Sequence, residues 1–185
     1  RADEAVLLAN KTGYPVALKL VADGVIHKAD AGGLALNLTT PDQVRQAFGK
    51  ITADRDGARA MVQAMVPAGH ETIIGAKRDP QFGPVVMFGT GGTYVEVRND
   101  ISFRLVPVSA QEAAEMIDET AMGSILKGIR GQPPADLQGI IDVIVRIGQL
   151  VTDFPIITEL DINPLIVGPA EAGCWAVDAR IAVDR

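Results

Sequence analysis

Residues 15–33 read PVALKLVADGVIHKADAGG, an apolar run followed at once by a glycine-bounded loop. The run PVALKL has strand character and carries Lys19, and the loop from Gly24 to Gly33 holds His27, Lys28 and Asp30 before ending on Gly32 and Gly33. Glycine lets a backbone approach an anion and turn successive N–H groups toward it, while lysine adds a mobile positive charge. The loop therefore suits phosphate, and a histidine placed in it can itself take a phosphoryl group as a nucleophile. Downstream, LALNLT (34–39) alternates apolar and polar residues as a half-buried strand does, and Pro41 suits the first turn of a helix over PDQVRQAFGKI. Upstream, DEAVLLANKT (3–12) reads as a short helix stopped by Gly13. The start of the chain is thus a β-loop-β-helix unit preceded by a helix.

Beyond it the sequence is richer in strands. AMVQAMV (60–66), ETIIGAKR (71–78) and PVVMFG (84–89) are apolar runs separated by PAGH and DPQFG, which are turn chemistry. After Gly91 and Gly92 come TYVEV and ISFRLVPV, helices at about 109–118 and 134–152, and a closing pair, TELDINPLIV and CWAVDARIAV, joined by GPAEAG. Strands and helices mix without strict β-α-β alternation, which predicts an α+β fold with largely antiparallel sheets. The charged, glycine-containing stretch 54–59 reads as the connection between two lobes, 1–57 and 58–185.

Composition limits what such a fold can do. At 48% hydrophobic the chain can bury one sizeable core or two small subdomains. Its 23 acidic residues against 17 basic ones give a net charge of -6, so no overall field favours nucleic acid or an anionic membrane. Any phosphate site must be local. No apolar stretch approaches the roughly 20 residues that span a bilayer. The single cysteine, Cys174, excludes an internal disulfide and fits a reducing cytoplasm. The chain opens on Arg1 rather than Met, which reads as a fragment or a processed product.

The closing pair permits a geometric test. If residues 168–173 connect the strands symmetrically, facing residues have numbers summing to 341, and Asn163 stands opposite Asp178. Opposed side chains share a face about 4.5 to 5.5 Å apart at Cβ, so two oxygen-bearing groups could grip one small hard cation such as Mg²⁺. Glu159 and Asp161 fall on the same face by period-2 alternation. The alternative is a solvated polar face on an edge hairpin. Lys19 is either an edge-strand side chain reaching water or a hand on a phosphate, and Gly91 and Gly92 either a second phosphate loop or a hairpin turn. Gln63 and Glu71 flank AMVPAGH and could face adenine and ribose, or be polar strand ends. His70 reads as surface, and Cys174, Trp175 and Met65 as packing residues.

Taken together, GYPVALKL, GVIHKADAGG, KRDPQFGPVVMFGTGG, LKGIRG and ELDINPL resemble the ATP-grasp domain of ADP-forming (NDP-forming) acyl-CoA synthetases, relatives of the succinyl-CoA synthetase β subunit, over residues 11–183. The resemblance implies an ATP-grasp fold of two lobes clamping ATP or ADP with Mg²⁺. It implies Lys19 at the phosphates with Gly32, Gly33, Gly91 and Gly92, Gln63, Ala64, Met65 and Val66 as the adenine hinge, Glu71 at the ribose, and Asn163 and Asp178 as metal ligands. His27 matches a second phosphoryl carrier that succinyl-CoA synthetase lacks. The reaction implied is reversible acyl-CoA and acid interconversion, in which a histidine on a CoA-binding domain or α subunit, within a hetero- or homo-oligomer in the cytoplasm, exchanges its phosphoryl group with ATP or ADP. LKGIRG, with Arg130, receives no role. Two alternatives stand beside this reading: a nucleotide-sensing regulatory domain of a protein acetyltransferase, and an ATP-grasp carboxylate-amine ligase, which would not need His27.

Overall fold

The computed structural model describes residues 1–21, 32–53, 57–92, 100–129 and 131–184. His27, Lys28 and Asp30, the strand expected at TYVEV, and Arg130 lie outside the described residues. The chain divides into two compact units, residues 1–65 and 66–185.

In the first unit, α1 (Ala2–Thr12) carries Asp3 and Glu4 in its first turn, where they favour the helix dipole, and ends at Gly13 with φ +89°. It is followed by β1 (Val16–Val21), β2 (Leu34–Leu38), α2 (Pro41–Thr52) and β3 (Arg59–Ala64). Thr40 caps α2 by accepting from the Gln43 N–H, and Pro41 occupies the first turn. Both helices lie on one face of an antiparallel sheet of order β2-β1-β3. Val16 and Leu18 of β1 pack there against Ala5, Val6 and Ala9 of α1 and Val44, Ala47 and Ile51 of α2. Alternation turns Ala17 and Lys19 to the opposite face.

The second unit holds β4 (His70–Asp79), β5 (Gly83–Thr90), β6 (Ile101–Leu105), α3 (Ala110–Asp118), α4 (Ala121–Leu126), α5 (Leu137–Asp153), β7 (Ile157–Val167), β8 (Cys174–Ala176) and β9 (Ala179–Val183). Its sheet runs β6-β5-β4-β7-β8, with β9 also on β7, and every pairing among the described strands of both units is antiparallel. The helices cover one face, where Phe88, Ile74, Met116, Leu126, Ile140 and Ile144 are fully buried. Asp136 caps α5 through the Gly139 N–H at 2.9 Å. Glu119, at the end of α3, accepts from Arg104 and Ser102 of β6; the Arg104 guanidinium, and after it the Ser102 hydroxyl, hold its carboxyl down at about 2.

The α+β class and the antiparallel sheets stand as read from the sequence. The unit boundary differs: it falls after Met65 rather than at 57/58, because β3 pairs with β1 from Val16↔Ala64 to Val21↔Arg59 and so belongs to the first sheet. Helix α4 was also not expected. At six residues it is too short to display a 3.6-residue period, and it is held by caps: Thr120 accepts from the Gly123 N–H, and the Asp100 carboxylate from the N–H groups of Ala121 and Met122.

Candidate functional site

The closing hairpin keeps the register that residue counting predicts. Leu165 faces Ala176, Ile162 faces Ala179 and Asp161 faces Arg180, and each pair sums to 341. The returning strand is interrupted at Val177 and Asp178, yet the ladder continues there: the Asn163 N–H donates to the Asp178 carbonyl at 3.1 Å and the Val177 N–H to that of Pro164 at 3.3 Å. Asn163 and Asp178 therefore stand side by side.

The other edge of β7 shows an irregularity that counting could not reveal. Thr72 of β4 pairs with Leu165, but Ile74 pairs with Ile162, so Ile73 alone faces both Asn163 and Pro164. This is a β-bulge, which bends a strand and re-aims its side chains. Its effect is visible in the core: Leu160 and Ile162 contribute to the helix-covered face before the bulge, and Leu165 and Val167 after it. Hydrophobic contacts thus change phase at Asn163, and Glu159, Asp161 and Asn163 share the face that the helices leave open.

At the bulge the second glycine loop meets the hairpin. The Gly92 N–H donates to Asn163 Oδ1 at 3.2 Å, and the Gly91 N–H to the Glu71 carbonyl at 2.9 Å. Gly91 lies so close to Thr72 that a Cβ would fall 2.5 Å from its backbone carbonyl, and a Cβ on Gly92 would fall in contact with the Glu71 carboxylate. The Thr72 hydroxyl, fully buried, donates to the Leu165 carbonyl and ties the two strands beneath the loop. Four of the residues singled out from sequence, Glu71, Gly92, Asn163 and Asp178, are consequently joined by direct contacts within one unit. The same open face continues into a hollow of about 340 Å³ between Lys77, Met87, Phe103, Glu159 and Asp161. Arg180, opposite Asp161 and 3.8 Å from the Glu159 carboxylate, was missed from sequence. The sum of 341 that paired Asn163 with Asp178 would have found it.

The first unit gathers the remaining described residues except Val66. Lys19 sits on the central strand and is 8% exposed, which corrects the reading of it as an edge side chain. Its strand neighbours are Leu34 and Met61, and Gln63 pairs with Ala17, placing Gln63 on the face of Lys19. Gly33 accepts from the Leu20 N–H at 2.7 Å, and Gly32 has φ +65°. Ala64 pairs with Val16, and the Met65 N–H donates to the Pro15 carbonyl. Val66 opens the second unit. Cys174 is half-buried and burial pushes its thiol up to about 11, which suits packing rather than nucleophilic attack.

Comparison with known proteins adds an independent line. Residues 1–183 match the ATP-grasp domain family. The β subunit of ADP-forming acetate–CoA ligase I from Pyrococcus furiosus is 42% identical over 186 residues, covering 97% of this chain and 79% of that subunit. ADP-forming acetate–CoA ligase I from Archaeoglobus fulgidus is 45% identical over 188 residues, covering 98% of this chain but 27% of that protein. Among solved structures, an acetyl-coenzyme A synthetase of Ca. Korarchaeum cryptofilum superimposes with a TM-score of 0.86 at 43% identity, over 100% of this chain and 83% of that one. That protein was solved with coenzyme A and Mg-AMPPCP, its phosphohistidine segment pointing towards the nucleotide binding site. The chain therefore spans about a quarter of the larger of these ligases and most of the separate β subunit.

Proposed function

The chain belongs to the ATP-grasp domain family in the form found in ADP-forming acyl-CoA ligases, and from that membership we propose that it is the nucleotide-binding and phosphoryl-transfer part of an acid–CoA ligase. The observation that carries the proposal is the convergence of Glu71, Gly92, Asn163 and Asp178 at one bulged position of one sheet. A surface hairpin with no ligand has no need to bring an acid, a glycine turn and an amide–carboxylate pair together.

The donor set fits Mg²⁺. An amide oxygen and a carboxylate on facing strands supply the few protein oxygens this ion takes, leaving its other positions to water and nucleotide phosphate. Asn163 and Asp178 would hold it, and its chemistry there would be to neutralise charge on the phosphates. Lys19, buried on its strand, is assigned the complementary cation in the first unit, with Gly32 and Gly33 presenting backbone N–H groups. Gln63 to Val66 are assigned to adenine, Glu71 to the ribose, and Gly91 and Gly92 to the phosphates.

The reaction is a transfer rather than a synthesis. A phosphoryl group leaves an imidazole nitrogen for the terminal oxygen of ADP, so one N–P bond breaks and one O–P bond forms, with the reverse for ATP. His27 is the carrier assigned within this chain, taking the group from a histidine on a CoA-binding domain or α subunit of the same cytoplasmic assembly. Such a transfer requires in-line placement and neutralisation of spread negative charge, which Lys19 and the loop N–H groups provide.

The test is direct. ADP or ATP with Mg²⁺ should raise the melting temperature of the protein, and Asp178→Ala should remove most of that rise; a mutant with an unchanged magnesium dependence sinks the metal assignment. Label from γ-phosphate-labelled ATP should be retained on His27 and lost in His27→Ala. Nucleotide binding without any transfer would instead identify a sensing domain.

A further inference from the structure

We propose that Gly92 is a positioning residue for the metal-binding amide: its backbone N–H determines which end of the Asn163 side chain faces the cation. The inference rests on the assignment of Asn163 and Asp178 to Mg²⁺ and adds a residue to it. The two ligands differ in one respect that matters. A carboxylate presents an oxygen whichever way it turns, so Asp178 needs no orientation about its terminal bond. A primary amide has an oxygen on one side and an NH₂ of nearly the same shape on the other, and only the oxygen can bind a hard cation. Left to itself, Asn163 would present the wrong end part of the time.

The Gly92 N–H resolves that ambiguity, because it donates to Oδ1 at 3.2 Å. With the amide turned over, a donor would meet a donor and the N–H would lose its acceptor. The bonded oxygen retains a second lone pair, so accepting from Gly92 is compatible with binding a cation.

The N–H can do this only if residue 92 is held in place, and the sequence provides for that with two glycines. Gly91 bonds through its N–H to the Glu71 carbonyl and lies against Thr72 where no Cβ fits. Gly92 has φ +82°, a conformation that side chains disfavour, and a methyl group on its Cα would displace the Glu71 carboxylate. From the other side, the bulge and the bond from the Asn163 N–H to the Asp178 carbonyl fix the asparagine backbone. Gly92 is thus a partner of a ligand rather than a ligand, comparable to the groups that orient metal-binding histidines.

The asymmetry between amide and carboxylate supplies the test. In the full protein that carries this chain, at saturating ADP, the Mg²⁺ concentration giving half of the maximal thermal shift would be measured for the parent, Gly92→Ala, Asn163→Asp and the double variant. Gly92→Ala should raise that concentration about tenfold or more, as loss of such outer partners does elsewhere. In the Asn163→Asp background the same change should have little effect, since no end remains to be chosen. Equal losses in the two backgrounds would mean that Gly92 acts only through the fold, and would overturn the inference while leaving the metal assignment intact. A parent protein with no Mg²⁺ dependence would remove that assignment and the inference together. Should Gly92→Ala fail to fold, hydrogen exchange of the Gly92 amide in the parent decides: protection that persists or grows on adding Mg²⁺ supports the shared oxygen, and exchange at the rate of an open amide overturns it.

Discussion

The two sheets handle charge differently. In the first, Lys19 lies in the middle of the β1–β3 ladder, which stays in register from Val16 to Val21, and alternation alone carries its side chain to the face away from α1 and α2. In the second, the residues assigned to the nucleotide meet where the β4–β7 ladder breaks register and the returning strand is interrupted at Val177 and Asp178. One charge can be aimed by a straight strand. Converging an acid, a glycine turn, an amide and a carboxylate takes a bulge, because successive residues on one face of a regular strand are separated by roughly 6 to 7 Å and cannot close on a single point.

If Lys19 serves transfer rather than stability, Lys19→Met should lower phosphoryl transfer to ADP by about 10² to 10³-fold. The loss of transfer should far exceed any loss of stability; a large drop in melting temperature with full activity would erase the contrast between the sheets. The next largest effect should come from tight glycine packing in the second unit. Gly91→Ala drives a Cβ into the Thr72 backbone and should cost about 1 to 3 kcal/mol by denaturant titration. Gly32→Ala in the first unit meets nothing within 4 Å among the described residues and should cost the left-handed penalty of about 1 kcal/mol. Thr72→Val should cost about 1 kcal/mol by leaving the Leu165 carbonyl without its hydroxyl donor.

The smallest effect concerns acid. Arg104 and Ser102 hold the Glu119 carboxyl at about 2 against an ordinary value of 4.5. The ionised form is favoured in the folded state, so its contribution to stability is complete above pH 4.5 and fades as the pH falls toward 2. Glu119→Gln should make the decline of melting temperature between those values shallower, and an unchanged decline would show that the β6–α3 clamp is electrostatically idle.

Much of this was legible in the chain. The helix at 3–12, the strands about Lys19 and Ile74 and the hairpin register followed from periodicity, Gly13 and Pro41, and the symmetric loop 168–173. Those signals are local, and each is set by a few neighbouring residues. The unit boundary was misjudged because the partner of β3 is β1, some forty residues earlier, and nothing within residues 59–64 declares that pairing. The position of Lys19 escaped for the same reason: whether a strand is central or at an edge depends on both of its neighbours.

By itself, the sequence determined most of the element types, the antiparallel class and the facing of Asn163 and Asp178, since turn chemistry and a side-chain period of two fix these over short distances. Only the tertiary structure decided that Gly92 would reach Asn163 and that Glu71 would lie against Gly92. Those contacts depend on the shift between β4 and β7, where strands about ninety residues apart in the chain lose register by one position, and packing against a common core sets that shift.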